Sequence, residues 1–386
     1  MSKPKISTIK VAAAYIGTVV GAGFASGQEI LQFFGFFGGL GIIGLLVSGI
    51  LFSLFGYLIL DLGRKLKAES HLPVIRHIGG KYLGTFMDYV ITFFLFGALT
   101  VMAAGAGALF QEQFGLPRLI GSGLIVVAAL LTVLLGISGV INAISFVTPF
   151  LLGSVFMIVL LAVANTGYDF TSIASTNLGA PPVPYWPLAA ILYVSYNLVM
   201  AVAILAPLGK ETENEKTLKK GAVVGGFGLT LGAGAIYLAV LVNMPQAGEL
   251  SIPMIFVVAQ ISPLVQLVFA LVLLAEVYTT AVGSLYGFSA RIIHPKHPAS
   301  WKYIVGTSTA ALGFSQIGFT NLVRYLFPTV GVMGMLMLGA IAWVYVKEIN
   351  IHGIFQRIIL QPAYKRDMNK GKETRTSKKD KKEDKK

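Results

Sequence analysis

The chain contains no cysteine, and only 12% of its residues carry a charge. Without thiols there is no disulfide framework and no thiolate metal site. The five histidines, His71, His77, His294, His297 and His352, all fall in charged connecting stretches, so the apolar segments also lack imidazole. With no intramembrane nucleophile and base, and no paired carboxylates, the sequence argues against an enzyme and against a metal cofactor. Acidic residues are scarce as well, at 17 against 30 basic ones, giving a net charge of +13. That excess sits largely in a lysine-rich tail and in connecting loops, so it does not point to nucleic acid.

What is abundant is apolar sequence. Hydrophobic residues make up 55% of the chain, far above the share of a soluble domain. A membrane-crossing helix needs about 20 mostly apolar residues, and ten such spans can be drawn. They run near 8–34, 40–61, 82–111, 118–135, 140–164, 187–208, 220–242, 263–290, 303–317 and 325–346. The charged start followed by a long apolar run reads as an uncleaved first span. The proline-bounded stretch from Met244 to Pro263 is too short for a crossing and reads as an outer re-entrant or lid segment. With the N-terminus inside, every one of the 30 lysines and arginines except Arg118 and Arg324 falls on the cytoplasmic side. That asymmetry implies a multi-pass protein of the cell membrane, in contact with the lipid bilayer and with both termini cytoplasmic. From about residue 364 the tail is too polar to bury a core and is expected to be disordered.

The spans suggest a five-plus-five inverted repeat: 1–164 as the first half, 165–186 as an outer loop, 187–346 as the second half and 347–386 as the basic tail. In each half the third span is long and the fourth is short. Span 1 reads Y-I-G-T-V-V-G-A-G-F-A-S-G-Q-E-I from Tyr15 to Ile30, with Gly17, Gly21, Gly23 and Gly27 amid apolar residues. Glycine disfavours a helix interior by about 1 kcal/mol relative to alanine, so a break in the helix is expected here. The same glycines form two small-xxx-small spacings that also suit close helix packing. The matching span 6 carries Tyr193, Ser195, Tyr196 and Asn197 at its centre, and a second break is expected there. Paired interruptions in corresponding spans are the sequence mark of a transporter site. Glu276, deep in span 8, has Thr279 and Thr280 at i+3 and i+4, which places oxygen ligands on one helix face. Hydroxyls at such positions also commonly bond to the preceding turn.

With G-T-V-V-G-A-G-F in span 1 and S-Y-N in span 6, the chain resembles the amino acid-polyamine-organocation superfamily, which has the leucine-transporter fold. Within it, the chain is similar to a poorly characterised branch of amino acid permeases. The resemblance covers about residues 8–346. It implies an all-α membrane protein of ten helices with spans 1 and 6 broken, acting as a secondary active transporter of a small amino acid or related zwitterion. It also implies a sodium site at Gly17, Val20, Glu276, Thr279 and Thr280, although Glu276 stands where a small residue is usual. The substrate is expected at Gly21, Ala22, Gly23, Phe24, Tyr193, Ser195, Tyr196 and Asn197. Proton coupling through Glu276 is an alternative, as is a receptor or structural protein of the same fold that moves nothing. Across the outer vestibule, Glu29 of span 1 and Arg324 of span 10 are expected to form a gate.

Overall fold

A computed structural model describes residues 6–135, 157, 180–211, 214–293 and 297–355, with side chains as far as 347. Span 5, most of the loop that follows it and the lysine-rich tail lie outside the described residues. Everything described is helix or connecting turn. Span 1 is three pieces, α1 (Thr8–Val19), α2 (Ala22–Ala25) and α3 (Gln28–Phe33). Then come α4 (Gly39–Lys65), α5 (His71–Phe114) and α6 (Arg118–Leu134). The later helices are α7 (Trp186–Lys210), α8 (Glu215–Val242), the short α9 (Gln246–Glu249) and α10 (Pro253–Ala259), α11 (Pro263–Ile292), α12 (Ser300–Ser315) and α13 (Phe319–Phe355). Among the described residues six helices, α4, α5, α7, α8, α11 and α13, are long and apolar enough to cross a membrane, and α1 and α6 are shorter apolar helices.

Local chemistry sets the boundaries. Ser7, Asn214 and Ser262 accept hydrogen bonds from the first-turn amides of α1, α8 and α11, the role in which short polar side chains stabilise helix starts. The helix α5 begins earlier than its apolar run because a short segment from His71 is joined to it across Gly80, whose φ of 58° bends the chain.

Two groups of helices assemble. In one, α4 packs on α7 and α8, and α1 packs on α8 and α7. In the other, α5, α6, α11 and α12 pack on each other. Lipid supplies no hydrophobic drive between apolar helices, so close backbone approach has to do that work. It does so in the first group, where a Cβ at Gly209 would lie 2.9 Å from the Leu60 carbonyl carbon and 3.1 Å from the Arg64 amide. Chain contacts divide at Leu338: the unit before it holds both groups, and the second unit begins at Gly339 with the last part of α13.

Polar side chains gather where helices end. Arg64 pairs with Asp61 and reaches Glu215 at 3.5 Å, Tyr57 donates to Glu215 at 2.8 Å, and Lys210 bonds Glu69 at 2.7 Å. These contacts bring the C-terminal ends of α4 and α7 and the start of α8 to one end of the bundle. At the C-terminal end of α11, Arg291 pairs with Asp88 and contacts His71, joining α11 to α5.

Candidate functional site

The break in span 1 is visible in the backbone. The helix α1 stops at Val19, and Val20 (φ −70°, ψ 111°) and Gly21 (φ −129°, ψ −179°) are extended before α2 resumes. Val20 still donates to the Ile16 carbonyl at 2.8 Å, but among the described residues the carbonyls of Gly17, Thr18, Val19 and Val20 and the amides of Gly21, Ala22, Gly23 and Phe24 have no hydrogen-bonding partner. A second bend follows at Gly27 (φ 81°). It is held by Ser26, whose hydroxyl donates to the Gly23 carbonyl at 2.9 Å and accepts from the Gln28 amide at 3.3 Å. From the expected lid segment, the Met254 amide donates to the Ser26 carbonyl at 3.0 Å, so α10 braces this bend. The carboxylate of Glu112, at the end of α5, in turn accepts from the amides of Ser251 and Ile252 at 2.7 and 3.0 Å.

The two sides of the break differ in exposure. Every residue from Ala22 to Gly35 is buried, whereas Ile16, Gly17, Thr18, Val20 and Gly21 are partly exposed. Within the buried part, Glu29 is only 5% exposed. Its carboxylate folds back against Gly23, so closely that a Cβ there would lie 2.7 Å from the carboxyl carbon. The other carboxylate oxygen accepts a hydrogen bond from Tyr196. Tyr196 is sandwiched between Phe33 (centroids 5.5 Å apart) and Phe327 (4.8 Å). Tyr193 packs edge-on to Phe34 and Tyr196, and its buried hydroxyl has no partner among the described residues but lies within electrostatic reach of Glu29.

Span 6 does not break. The helix α7 is continuous from Trp186 to Lys210, contrary to the expected interruption. Ser195 donates to the Ile191 carbonyl at 2.7 Å and Asn197 to the Tyr193 carbonyl at 2.9 Å, so both polar groups are satisfied within their own helix. No glycine or proline lies between Leu188 and Ala206 to weaken the ladder. Of the four polar residues expected to bind substrate in this span, only the two tyrosines reach out of their helix toward Glu29.

On α11, Glu276 is 4% exposed, one of its carboxylate oxygens has no partner, and it lies within electrostatic reach of Glu29. The Thr279 hydroxyl donates to the Glu276 carbonyl at 3.0 Å, which leaves its lone pairs available to a cation. Thr280 is half-buried beside it, and α11 packs directly on α2.

The expected gate is not formed. Arg324 donates to the Ala180 carbonyl at 2.9 Å, while Glu29 points inward at Gly23 and Tyr196. The left-handed turn at Gly27 re-aims the start of α3, and with it Glu29, toward the break. Two side chains of the site went unread in the sequence. Gln28 and Gln32 are 1% and 2% exposed, with both side-chain polar atoms of Gln28 and the carbonyl oxygen of Gln32 unpartnered. Their i, i+4 spacing on either side of Glu29, inside an apolar span, was the available signal. A separate cavity of ≈ 160 Å³ between α6, α11 and α12, lined mostly by apolar residues such as Val133, Ile293 and Trp301, shares no residue with the break.

No family model matches the chain. It is 34% identical over 345 residues to the uncharacterized membrane protein YkvI of Bacillus subtilis, covering 88% of this chain and 97% of that one. It is 30% identical over 328 residues to the uncharacterized protein YyaD of the same organism, covering 84% and 92%. Solved structures share its fold at low identity. Mhp1 in an inward-facing conformation aligns with a TM-score of 0.60 at 15% identity, over 86% of this chain and 74% of that one. A Na+-coupled sialic acid symporter in a substrate-bound outward-open state gives 0.57 at 17%, over 87% and 78%. MhsT in complex with L-phenylalanine gives 0.57 at 17%, over 89% of both chains. The chain is thus a multi-pass membrane protein with the leucine-transporter fold, and it belongs to the family of the Bacillus subtilis membrane protein YkvI.

Proposed function

We propose that the protein is a secondary active transporter of a small amino acid or related zwitterion, working by alternating access around the break in span 1. The observation that carries this reading is the interruption at Val20 and Gly21, where the carbonyls that end α1 and the amides that open α2 have no hydrogen-bonding partner among the described residues. Irregular backbone at membrane depth persists only where something else satisfies it. The amides of Ala22, Gly23 and Phe24 suit a substrate carboxylate, and the carbonyls of Gly17 and Val20 suit a cation. With sodium as the coupling ion, its ligands are those two carbonyls together with Glu276, Thr279 and Thr280. The shared fold with a Na+-coupled symporter and with a protein that holds L-phenylalanine supports the same reading.

In this proposal both termini are cytoplasmic.

A second reading, proton coupling, is favoured by the unpartnered oxygen of Glu276 beside Glu29. Uptake into liposomes separates the two. A sodium gradient at constant pH drives accumulation if sodium couples, whereas a proton gradient at constant sodium drives it if Glu276 carries the proton. Binding of amino acids without any counterflow would identify a receptor instead.

A further inference from the structure

The unbroken α7 leaves a charge unaccounted for. A zwitterion at the break would have its carboxylate met by the free amides of α2. Of the unwound carbonyls that the fold resemblance implies for its ammonium, in spans 1 and 6, those of span 6 are consumed in the α7 ladder and only those of span 1 remain. What the structure offers instead is Glu29. Its carboxylate lies against Gly23, one residue from either neighbouring free amide, and among the described residues its only hydrogen-bond donor is Tyr196. Among the described residues no basic side chain pairs with Glu29 or with Glu276. A buried carboxylate with one donor is costly unless a cation or a proton completes it. Tyr193 is 1% exposed, among the described residues its hydroxyl has no hydrogen-bond partner, and it lies within electrostatic reach of Glu29.

The surroundings select the kind of cation. The described residues gather no group of three His, Asp or Glu side chains that would chelate a metal ion. They gather aromatic rings instead, with Tyr193 5.4 Å and Tyr196 5.5 Å from Phe33, and Phe94 and Phe327 beyond. An aromatic lining tolerates the carbon skeleton of an alkylammonium group.

Resting on the transport reading above, we infer that Glu29, seated against Gly23 with Tyr196 donating to it and Tyr193 within electrostatic reach, receives a positively charged amine of the substrate. The amine is therefore the group a ligand must have. The carboxylate, met only by backbone amides, is the lesser requirement.

The test is a thermal-shift and binding series on the purified full-length protein. The probes are the common amino acids and, for each that binds, the amine left by its decarboxylation and its N-acetyl derivative. The amine should retain measurable binding. N-acetylation should weaken binding by about 30-fold or more, as losing one member of a buried charged pair does. Glu29→Gln, which keeps an acceptor for Tyr196, should bind the parent amino acid about 30-fold more weakly and cease to distinguish it from the N-acetyl form. Tyr193→Phe, which removes no existing bond, should weaken the amine while leaving the unliganded melting temperature unchanged. If N-acetylated ligands bind as well as their parents, or Glu29→Gln folds and binds like the unmodified protein, the inference is overturned while the transport reading stands. If no amino acid and no amine binds or is taken up, the transport reading itself fails, and this inference with it.

Discussion

Span 1 and span 6 were both expected to break, and only one does. Each has polar residues at its centre, but span 1 places Gly17, Gly21, Gly23 and Gly27 within eleven positions, whereas α7 runs through Tyr193, Ser195, Tyr196 and Asn197 without interruption. Short polar side chains do not open a membrane helix when the carbonyl one turn back is within their reach, and Ser195 and Asn197 both use it. Glycine opens it by giving up the preference for helical backbone and by allowing another group to take the place of a side chain. At Gly23 that group is the Glu29 carboxylate. The site is consequently lopsided, with span 1 contributing main chain and α7 contributing only ring and hydroxyl.

The largest effect that would break this contrast is expected at Gly23. Gly23→Val would drive two methyl groups into the Glu29 carboxylate and should abolish ligand binding and uptake, while a valine at Ala203 of α7, outside the site, should leave binding within a factor of about two. Next comes α11. Thr279→Ala with Thr280→Ala should remove sodium stimulation of binding in the protein that still folds. A protein in which Glu276→Gln alone removes proton-driven uptake, with the threonine pair silent, would move the coupling to the carboxylate.

Much of this was legible in the sequence. Glycine density marked the break because a helix penalises each glycine separately, and α4, α8 and α11 followed from the apolar runs near 40–61, 220–242 and 263–290. The site was less legible because it depends on directions in space. The sequence points Glu29 outward to Arg324, yet the φ of 81° at Gly27 re-aims α3 so that the carboxylate folds back against Gly23, while Arg324 donates to the Ala180 carbonyl. A glycine permits such a turn without announcing it. Likewise, i, i+4 spacing could mark Gln28 and Gln32 as one face, but not that the face would be buried. The stacking of Tyr196 between Phe33 and Phe327 joins residues far apart in the chain, and no local pattern encodes it.

Smaller effects sharpen the comparison between the two tyrosines of α7. Tyr196→Phe leaves Glu29 without its donor and should cost about 1–3 kcal/mol of stability, read as a lower unfolding temperature in detergent. Ser195→Ala and Asn197→Ala, each removing a bond within its own helix, should cost about 0.6 kcal/mol or less and change ligand binding little. A loss of binding in either as large as that of Gly23→Val would mean that α7 opens during the cycle and contributes main chain after all.

The central claim is that span 1 carries the open backbone and span 6 does not. Hydrogen exchange on the purified protein, followed peptide by peptide with and without a bound amino acid, tests it most directly. The amides of Gly21 to Phe24 should exchange faster than those of Tyr193 to Asn197 in the free protein, and ligand should slow the first set while leaving the second unchanged. Equal protection of both segments in the free protein, or ligand-induced slowing confined to Tyr193 to Asn197, would contradict the account.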